Sequence, residues 1–380
     1  MIYLDNAATT LMYPEVRDTV SYYEKYFYNP SSPYSASKKI RKELEKARTK
    51  LADMINAQPE EIYFTSGGTE SDNWACNHAK AKRGHIITTA IEHKAVLMPL
   101  NDYNNKTIIK PMPDGAVNVS AIERAIKRDT VMISVMTANN ETGTLQPVDE
   151  IGRLAKEYNI IFHTDAVQAF GHIKIDVKKI GADMLSASSH KFHGPKGCGF
   201  LYADKNTGIK PFIYGGGQER GQRSGTENVP GILGMVKAAE ISHRIMDENN
   251  RKLRKINDYM TDRILNEIDD CICNGNRENR LSNNINVSFG NIDGKALLVL
   301  LDMEGVYVSG ASACNGGKEK SYVLSSLGVP EKYAYGTIRM TMDYTMNMKQ
   351  ADYVLNVLKK CVNYFCLLYT SDAADDRISV

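Results

Sequence analysis

From about residue 60 to residue 240 the chain alternates short apolar or β-branched runs with stretches of helical period. Ile62-Tyr-Phe-Thr, His85-Ile-Ile-Thr-Thr, Val131-Met-Ile-Ser-Val, Ile160-Ile-Phe-His and Asp183-Met-Leu-Ser-Ala read as buried strands. Ser120 to Lys127 and Pro147 to Tyr158 read as amphipathic helices between them. This alternation predicts an α/β fold, a sheet covered by helices. Further on, Leu281 to Phe289 alternates like a strand with one solvent-exposed face, and helical patterns follow. In Met348 to Phe365, residues Val354, Leu358, Cys361, Val362 and Phe365 fall on one helix face. There the pattern stops. The tail CLLYTSDAADDRISV lacks periodicity and resembles translated adapter sequence, so residues 366–380 are expected to be a non-native or disordered tail. No repeat of fixed period and no Pro/Ser-rich linker appears, which predicts interleaved domains rather than tethered ones.

Composition narrows the class of protein. The 380 residues, 42% hydrophobic and 24% charged, can build two domains around a large core. With 47 basic against 45 acidic residues there is no field to steer the chain onto nucleic acid or an anionic membrane. The start, MIYLDNAATT, has no basic n-region and carries Asp5 where a signal peptide needs apolar residues. The aliphatic run Ala296 to Leu301 is far too short to span a bilayer. Seven cysteines, an odd number with no secretion signal, point to reduced thiols and a cytoplasmic location. Cys271 and Cys273 lack the second pair of a zinc site, so no metal is expected.

The chemistry gathers where candidate strands end. Ligands of open α/β sheets bind outside the carboxyl ends of the strands. The five runs above lead at once into Gly67-Gly-Thr-Glu, Glu92-His, Asn139-Asn-Glu-Thr-Gly, His163-Thr-Asp-Ala-Val-Gln and Ser188-Ser-His-Lys. Two glycines and a hydroxyl residue before a helix make an anion cradle. Without the Gly-Lys-Ser/Thr of a nucleotide-binding loop, one phosphate fits it better than three. A plain cap at Thr69, with Glu70 and Asp72 serving the helix dipole, is the other reading. Lys191, just past a buried strand, suits Schiff-base chemistry, against a lysine that merely reaches the surface. Asp165 suits a pyridinium nitrogen, against a simple helix N-cap. An Asp and a Lys on two strand ends fit pyridoxal phosphate better than any hydrolytic triad.

The ordered set of segments is recognisable. Tyr3-Leu-Asp-Asn-Ala-Ala-Thr-Thr, Thr65-Ser-Gly-Gly-Thr-Glu-Ser-Asp-Asn, Glu92-His-Lys-Ala-Val, Asn139-Asn-Glu-Thr-Gly and His163-Thr-Asp-Ala-Val-Gln come first. His190-Lys-Phe-His-Gly-Pro-Lys-Gly, Gly215-Gly-Gly-Gln-Glu-Arg-Gly-Gln-Arg-Ser-Gly-Thr-Glu-Asn and Ser309-Gly-Ala-Ser-Ala-Cys follow. From about residue 2 to residue 365 the chain resembles the cysteine desulfurases, pyridoxal-phosphate enzymes of the class-V aminotransferase group with the aspartate-aminotransferase-like fold (fold type I). The resemblance implies a large cofactor domain at residues 15–255, with a mostly parallel seven-stranded sheet. It implies a small α+β domain from residues 1–14 and 256–365. Lys191 would carry pyridoxal 5'-phosphate, Asp165 pair with its ring nitrogen, Gln168 bond the ring hydroxyl, and His93 stack on the ring and move protons. Gly68, Thr69, Ser188 and His190 would hold the phosphate, with Thr226 reaching over from a second subunit of a homodimer. Asn140, beside the cofactor, and Arg339 would grip the substrate carboxylate.

The implied reaction turns L-cysteine into L-alanine and leaves sulfur as a persulfide on Cys314, for delivery to an acceptor protein: an iron–sulfur scaffold or a thiolation carrier. Gly310, Gly316 and Gly317 around Cys314 predict a loop, which lets one sulfur visit first the cofactor and then an acceptor. Lys318 and Lys320 could lower the thiol's pKa, against the reading that loop lysines are merely solvated. A selenocysteine lyase or small-substrate aminotransferase is the alternative, though neither needs a cysteine on a glycine loop. A non-catalytic docking platform would not keep Lys191, Asp165, His93 and Cys314 together. The chain departs from the family in two places: the Cys314 loop is about one residue shorter than in many relatives, and Met340-Thr-Met-Asp-Tyr follows Arg339.

Overall fold

The protein is described here by a computed structural model, which covers residues 1–310 and 320–375, with 366–375 defined by backbone alone. Cys314 and Lys318 lie outside the described residues. The large sheet has seven strands in the order Ile62–Thr65, Gly199–Ala203, Met184–Ser188, Ile161–Asp165, Thr130–Ser134, His85–Thr89 and Lys106–Ile109. Only Gly199–Ala203 runs antiparallel to its neighbours. The five expected strands are present, Ile62–Thr65 and His85–Thr89 with the expected bounds and the other three with ends shifted by a residue or two. Lys106–Ile109 and Gly199–Ala203 complete the seven. Strands covered by helices on both faces read as continuous apolar runs, and His85–Thr89 and Met184–Ser188 are buried at every position.

A second sheet of four antiparallel strands runs Ser309–Gly310, Thr337–Thr341, Asn284–Phe289, Cys271–Cys273. Its apolar face packs on Leu253, Ile256, Met260 and Ile264 of the helix Val229–Glu267 and on Val354, Leu358 and Val362 of the helix Met348–Asp375. The first of these helices serves both cores, since Ile232, Val236 and Ile241 pack into the larger one. The N-terminal Ile2–Tyr3 pairs in parallel with Val306–Tyr307, and Leu4 enters the smaller core.

Two expectations change here. Asn284–Phe289 is not half exposed; all six residues are buried. Its polar positions face protein, not water: Asn284 and Asn286 donate to the Glu141 carbonyl, and Ser288 bonds Thr337. An alternating pattern reports two unlike faces, and here the polar face is covered by protein, with the Glu141 carbonyl accepting from two of its asparagines. The last helix, moreover, does not stop at Phe365; its backbone continues to Asp375. No helix among the described residues is long and apolar enough to cross a membrane.

Candidate active site

All five parallel strands that were expected to carry chemistry end at one edge of the large sheet, and the segments following them enclose a cavity of about 340 Å³. Gly67, with φ +151°, turns the chain from Ile62–Thr65 into the helix Gly68–Ala81. A Cβ on Gly68 would lie 2.5 Å from Val167 Cγ2, so the helix end sits tight against the segment after Ile161–Asp165. Thr69 is therefore inside the first turn and lines the cavity rather than capping the helix. The first amides of a helix have no intrahelical acceptor, which suits this end to a phosphate. Ser188 and His190 line the same cavity from the next strand. Burial, with Lys191 nearby, pushes the His190 imidazole down to about 4, so it is neutral; its Nδ1 lies 3.2 Å from Thr9 Oγ1.

Lys191 ends a short 3-10 turn, Ser189–Lys191, and its Nζ points back over the sheet edge, donating to the carbonyls of Ala7 (2.6 Å) and Ala8 (2.9 Å). Gln168 donates to the same Ala7 carbonyl at 3.0 Å. Asp165 is only 5% exposed, and its Oδ1 accepts from the Val167 amide at 2.8 Å. That contact is the local capping bond the sequence allowed, yet no helix follows, and the carboxylate also lines the cavity. Burial raises the Asp165 carboxyl, with His93, the Val167 amide and Lys191 opposing. His93 lines the cavity too. Its Nδ1 accepts from the Ala95 amide at 3.1 Å, and burial holds its pKa below the usual value against the pull of Asp165.

Arg339, 7% exposed, closes the far wall. Its Nη1 donates to the Asn140 carbonyl at 2.9 Å and its Nη2 to Asp5 Oδ1 at 2.7 Å, while Nε has no partner. Asn140 Oδ1 is likewise buried and unpartnered. Two orphaned polar groups side by side in one wall fit a polar ligand that neither yet touches. Asp5 entered the sequence reading as an argument against a signal peptide and within the segment Tyr3 to Thr10, with no role of its own; its place two residues after a short parallel strand is what brings it to Arg339.

Two predicted residues fall elsewhere. Thr226 is exposed and does not line this chain's cavity. Lys320 forms an ion pair with Glu331. Cys314 lies outside the described residues, and the residues flanking its segment bond or pair with Arg339 of the cavity wall and with Glu141 and Glu92, the chain neighbours of Asn140 and His93. Ser309 is in register with Arg339 across the strand pair. On the other side Ser321 donates to Glu141 Oε2, and the Tyr322 hydroxyl donates to the Glu92 carbonyl at 2.7 Å. His193, adjacent to the lysine motif, packs its ring on Tyr13 and hydrogen-bonds the Leu11 carbonyl.

A phosphate-sized helix end, a lysine, a buried carboxylate and a guanidinium around one cavity at the strand ends define a fold-type-I pyridoxal-phosphate enzyme. Residues 2–354 match the family model for Aminotransferase class-V. Cysteine desulfurase IscS of Methanosarcina thermophila is 46% identical over 373 residues, spanning 95% of this chain and 92% of the relative. Cysteine desulfurase IscS of Dictyoglomus turgidum is 44% identical over 371 residues, spanning 95% and 94%. A solved NifS-like protein superposes with a TM-score of 0.90 at 36% identity, covering 96% of this chain and 99% of that one. The chain belongs to the cysteine desulfurases, pyridoxal-phosphate-dependent members of the class-V aminotransferases.

Proposed function

We propose that this cavity converts L-cysteine to L-alanine, with Lys191 as the cofactor's attachment point and Cys314 as the first sulfur acceptor. The observation that carries the reading is the convergence of Lys191, Asp165, the Gly68–Thr69 helix end and Arg339 on a single cavity. When bound, pyridoxal 5'-phosphate supplies an electron sink for charge developing at the substrate α-carbon. Gly68, Thr69, Ser188 and neutral His190 would hold the phosphate. Gln168 and His93 would position the ring, and Asp165 would pair with its nitrogen. Arg339, with Asn140, takes the substrate carboxylate in the bidentate geometry a guanidinium favours. Lys191 Nζ moves the α-proton. The Cys314 thiolate attacks the substrate sulfur, an S–S bond forms as the substrate C–S bond breaks, and the carbon skeleton leaves as alanine after protonation.

Thr226 on its exposed loop fits a role at a second subunit's phosphate, which makes the enzyme a homodimer. A soluble carrier or an iron–sulfur scaffold in the cytoplasm is the fitting sulfur acceptor. The test is covalent: borohydride reduction of the holoenzyme followed by peptide mapping should place the cofactor on Lys191 and leave Lys191→Ala unlabelled. Label on another lysine would overturn the assignment.

A further inference from the structure

Two of the carboxyl groups lining the cavity, Asp72 and Asp165, interact with each other and with Glu92 behind the wall; the three are 1%, 5% and 0% exposed. Asp72 sits one turn into the helix Gly68–Ala81, reaches the cavity, and has hydrogen-bonding contact with both Asp165 and Ser186. Its Oδ1 has no hydrogen-bond partner and lies 3.6 Å from His163 Nε2. His163 is fully buried, between Ser134 Oγ on Nδ1 (2.9 Å) and Ser186 Oγ on Nε2 (3.1 Å). A chain of polar groups thus runs from Ser134 through His163, Ser186 and Asp72 to Asp165, and the roles outlined above use only its last member.

We propose that Asp72 is a positioning residue that keeps the proton of the Asp72–Asp165 pair and donates it to Asp165, so that the negative charge rests on the carboxylate facing the cofactor's ring nitrogen. Two carboxylates in contact away from water do not both ionise. Their surroundings decide which one does. Asp165 accepts the Val167 amide and faces His93 and Lys191, all of which favour its anion. Asp72 faces Asp165, Glu92 and the Cys76 thiol, none of which supplies positive charge. Ser186 hydrogen-bonds Asp72 and favours its anion, but it is a neutral donor against the charges that face Asp165, and His163, pushed down to about 3 by burial, is neutral. Glu92, pushed up to about 8 by burial, holds its own proton at neutral pH. Asp72 therefore carries the shared proton, and its hydrogen bond lowers Asp165 while raising Asp72.

The inference rests on Asp165 as the ring-nitrogen partner, so the experiment separates the two. In the holoenzyme, the pH midpoint of the bound cofactor's visible absorbance change reports the charge near the ring. Asp72→Ala removes the donor, weakens the anion on Asp165, and should raise that midpoint by about one pH unit. Asp72→Asn keeps a neutral donor of the same shape and should leave it within about a fifth of that shift. An equal shift in both variants would mean that Asp72 acts as an anion, and no shift in either would mean that it does not act on the ring; each outcome overturns the proposal. If Asp72→Ala does not fold, infrared difference spectra of wild-type and Asp72→Asn apoenzyme decide. The wild type should show a protonated-carboxyl carbonyl band that the variant lacks, and its absence at neutral pH overturns the proposal. Asp165→Asn is the control for the underlying reading: an unmoved midpoint there refutes Asp165 as ring partner, while the infrared result still bears on Asp72 alone.

Discussion

Arg223 and Glu70 face each other as parallel forks, Nε to Oε1 at 2.8 Å and Nη2 to Oε2 at 3.0 Å. Glu70 follows Thr69 in the helix turn at the phosphate position, and it also accepts the Ser66 amide at 2.9 Å. Burial works against its charge, but those hydrogen bonds prevail and hold the carboxyl below its usual range. A few residues earlier, Glu219 makes the same two-point bond to Arg48 and accepts the Phe64 amide. The glycine-rich stretch Gly215 to Asn228 is therefore clamped at two places to the elements that frame the cofactor site, although most of it is exposed.

The two clamps should fail differently. The Arg48–Glu219 pair is 5% exposed on each side, so Arg48→Met leaves a buried carboxylate unpaired and should cost about 3–5 kcal/mol in denaturant unfolding. Arg223→Ala, at a more open pair, should cost only about 1 kcal/mol of stability. Its main effect should be on cofactor retention, because in the proposed homodimer the loop carrying Thr226 would lose its anchor. Equilibrium dialysis should then show pyridoxal phosphate bound about tenfold more weakly, the equivalent of about 1.4 kcal/mol.

Asp5 should act through Arg339. Its carboxylate fixes one guanidinium nitrogen at 2.7 Å, while Nε is buried without a partner. Arg339→Lys replaces a fork by a point charge and should raise KM for L-cysteine by about ten- to a hundredfold, a loss of about 1.5–3 kcal/mol. Asp5→Asn should raise KM by a smaller factor, with the cofactor spectrum unchanged in both variants. Steady-state alanine formation measures all three proteins.

Glu92 predicts a pH dependence of stability. Burial raises its carboxyl to about 8 in the folded protein, so the native state holds a proton that the unfolded chain releases near the ordinary carboxylate value. The stability associated with that proton is complete below the unfolded pKa and is lost as pH rises through about 8. Between pH 6.5 and 8 the melting temperature of the apoenzyme should therefore fall. Glu92→Gln, which cannot titrate, should show a shallower decline over the same window in differential scanning calorimetry.

Much of the site was legible because parallel strands announce themselves as apolar runs and their polar successors must share one edge. Gly68, Thr69, His93, Asn140, Asp165, Gln168, Ser188, His190 and Lys191 all reach the cavity for that reason. Lys106–Ile109 was hidden because it is an edge strand with mixed burial. The antiparallel Gly199–Ala203 follows a glycine-rich turn and breaks the strand–helix rhythm. Asp72 and Asp5 were invisible as partners because their roles depend on contacts with Asp165 and Arg339, far away in sequence. The buried polar face of Asn284–Phe289 was misread because alternation distinguishes unlike faces without saying what covers the polar one.

The central claim is that sulfur leaves L-cysteine at this cavity and is taken by Cys314. Its most direct measurement is L-alanine formed from L-cysteine by the wild type and by Cys314→Ser, with the cofactor spectrum recorded on the same samples. The substitution leaves Lys191, Asp165 and Arg339 untouched, and a hydroxyl is a far poorer nucleophile toward sulfur than a thiolate. The account predicts that the variant binds pyridoxal phosphate, responds spectrally to L-cysteine, and makes alanine slower by orders of magnitude. A variant that keeps both its spectrum and most of its turnover would contradict it.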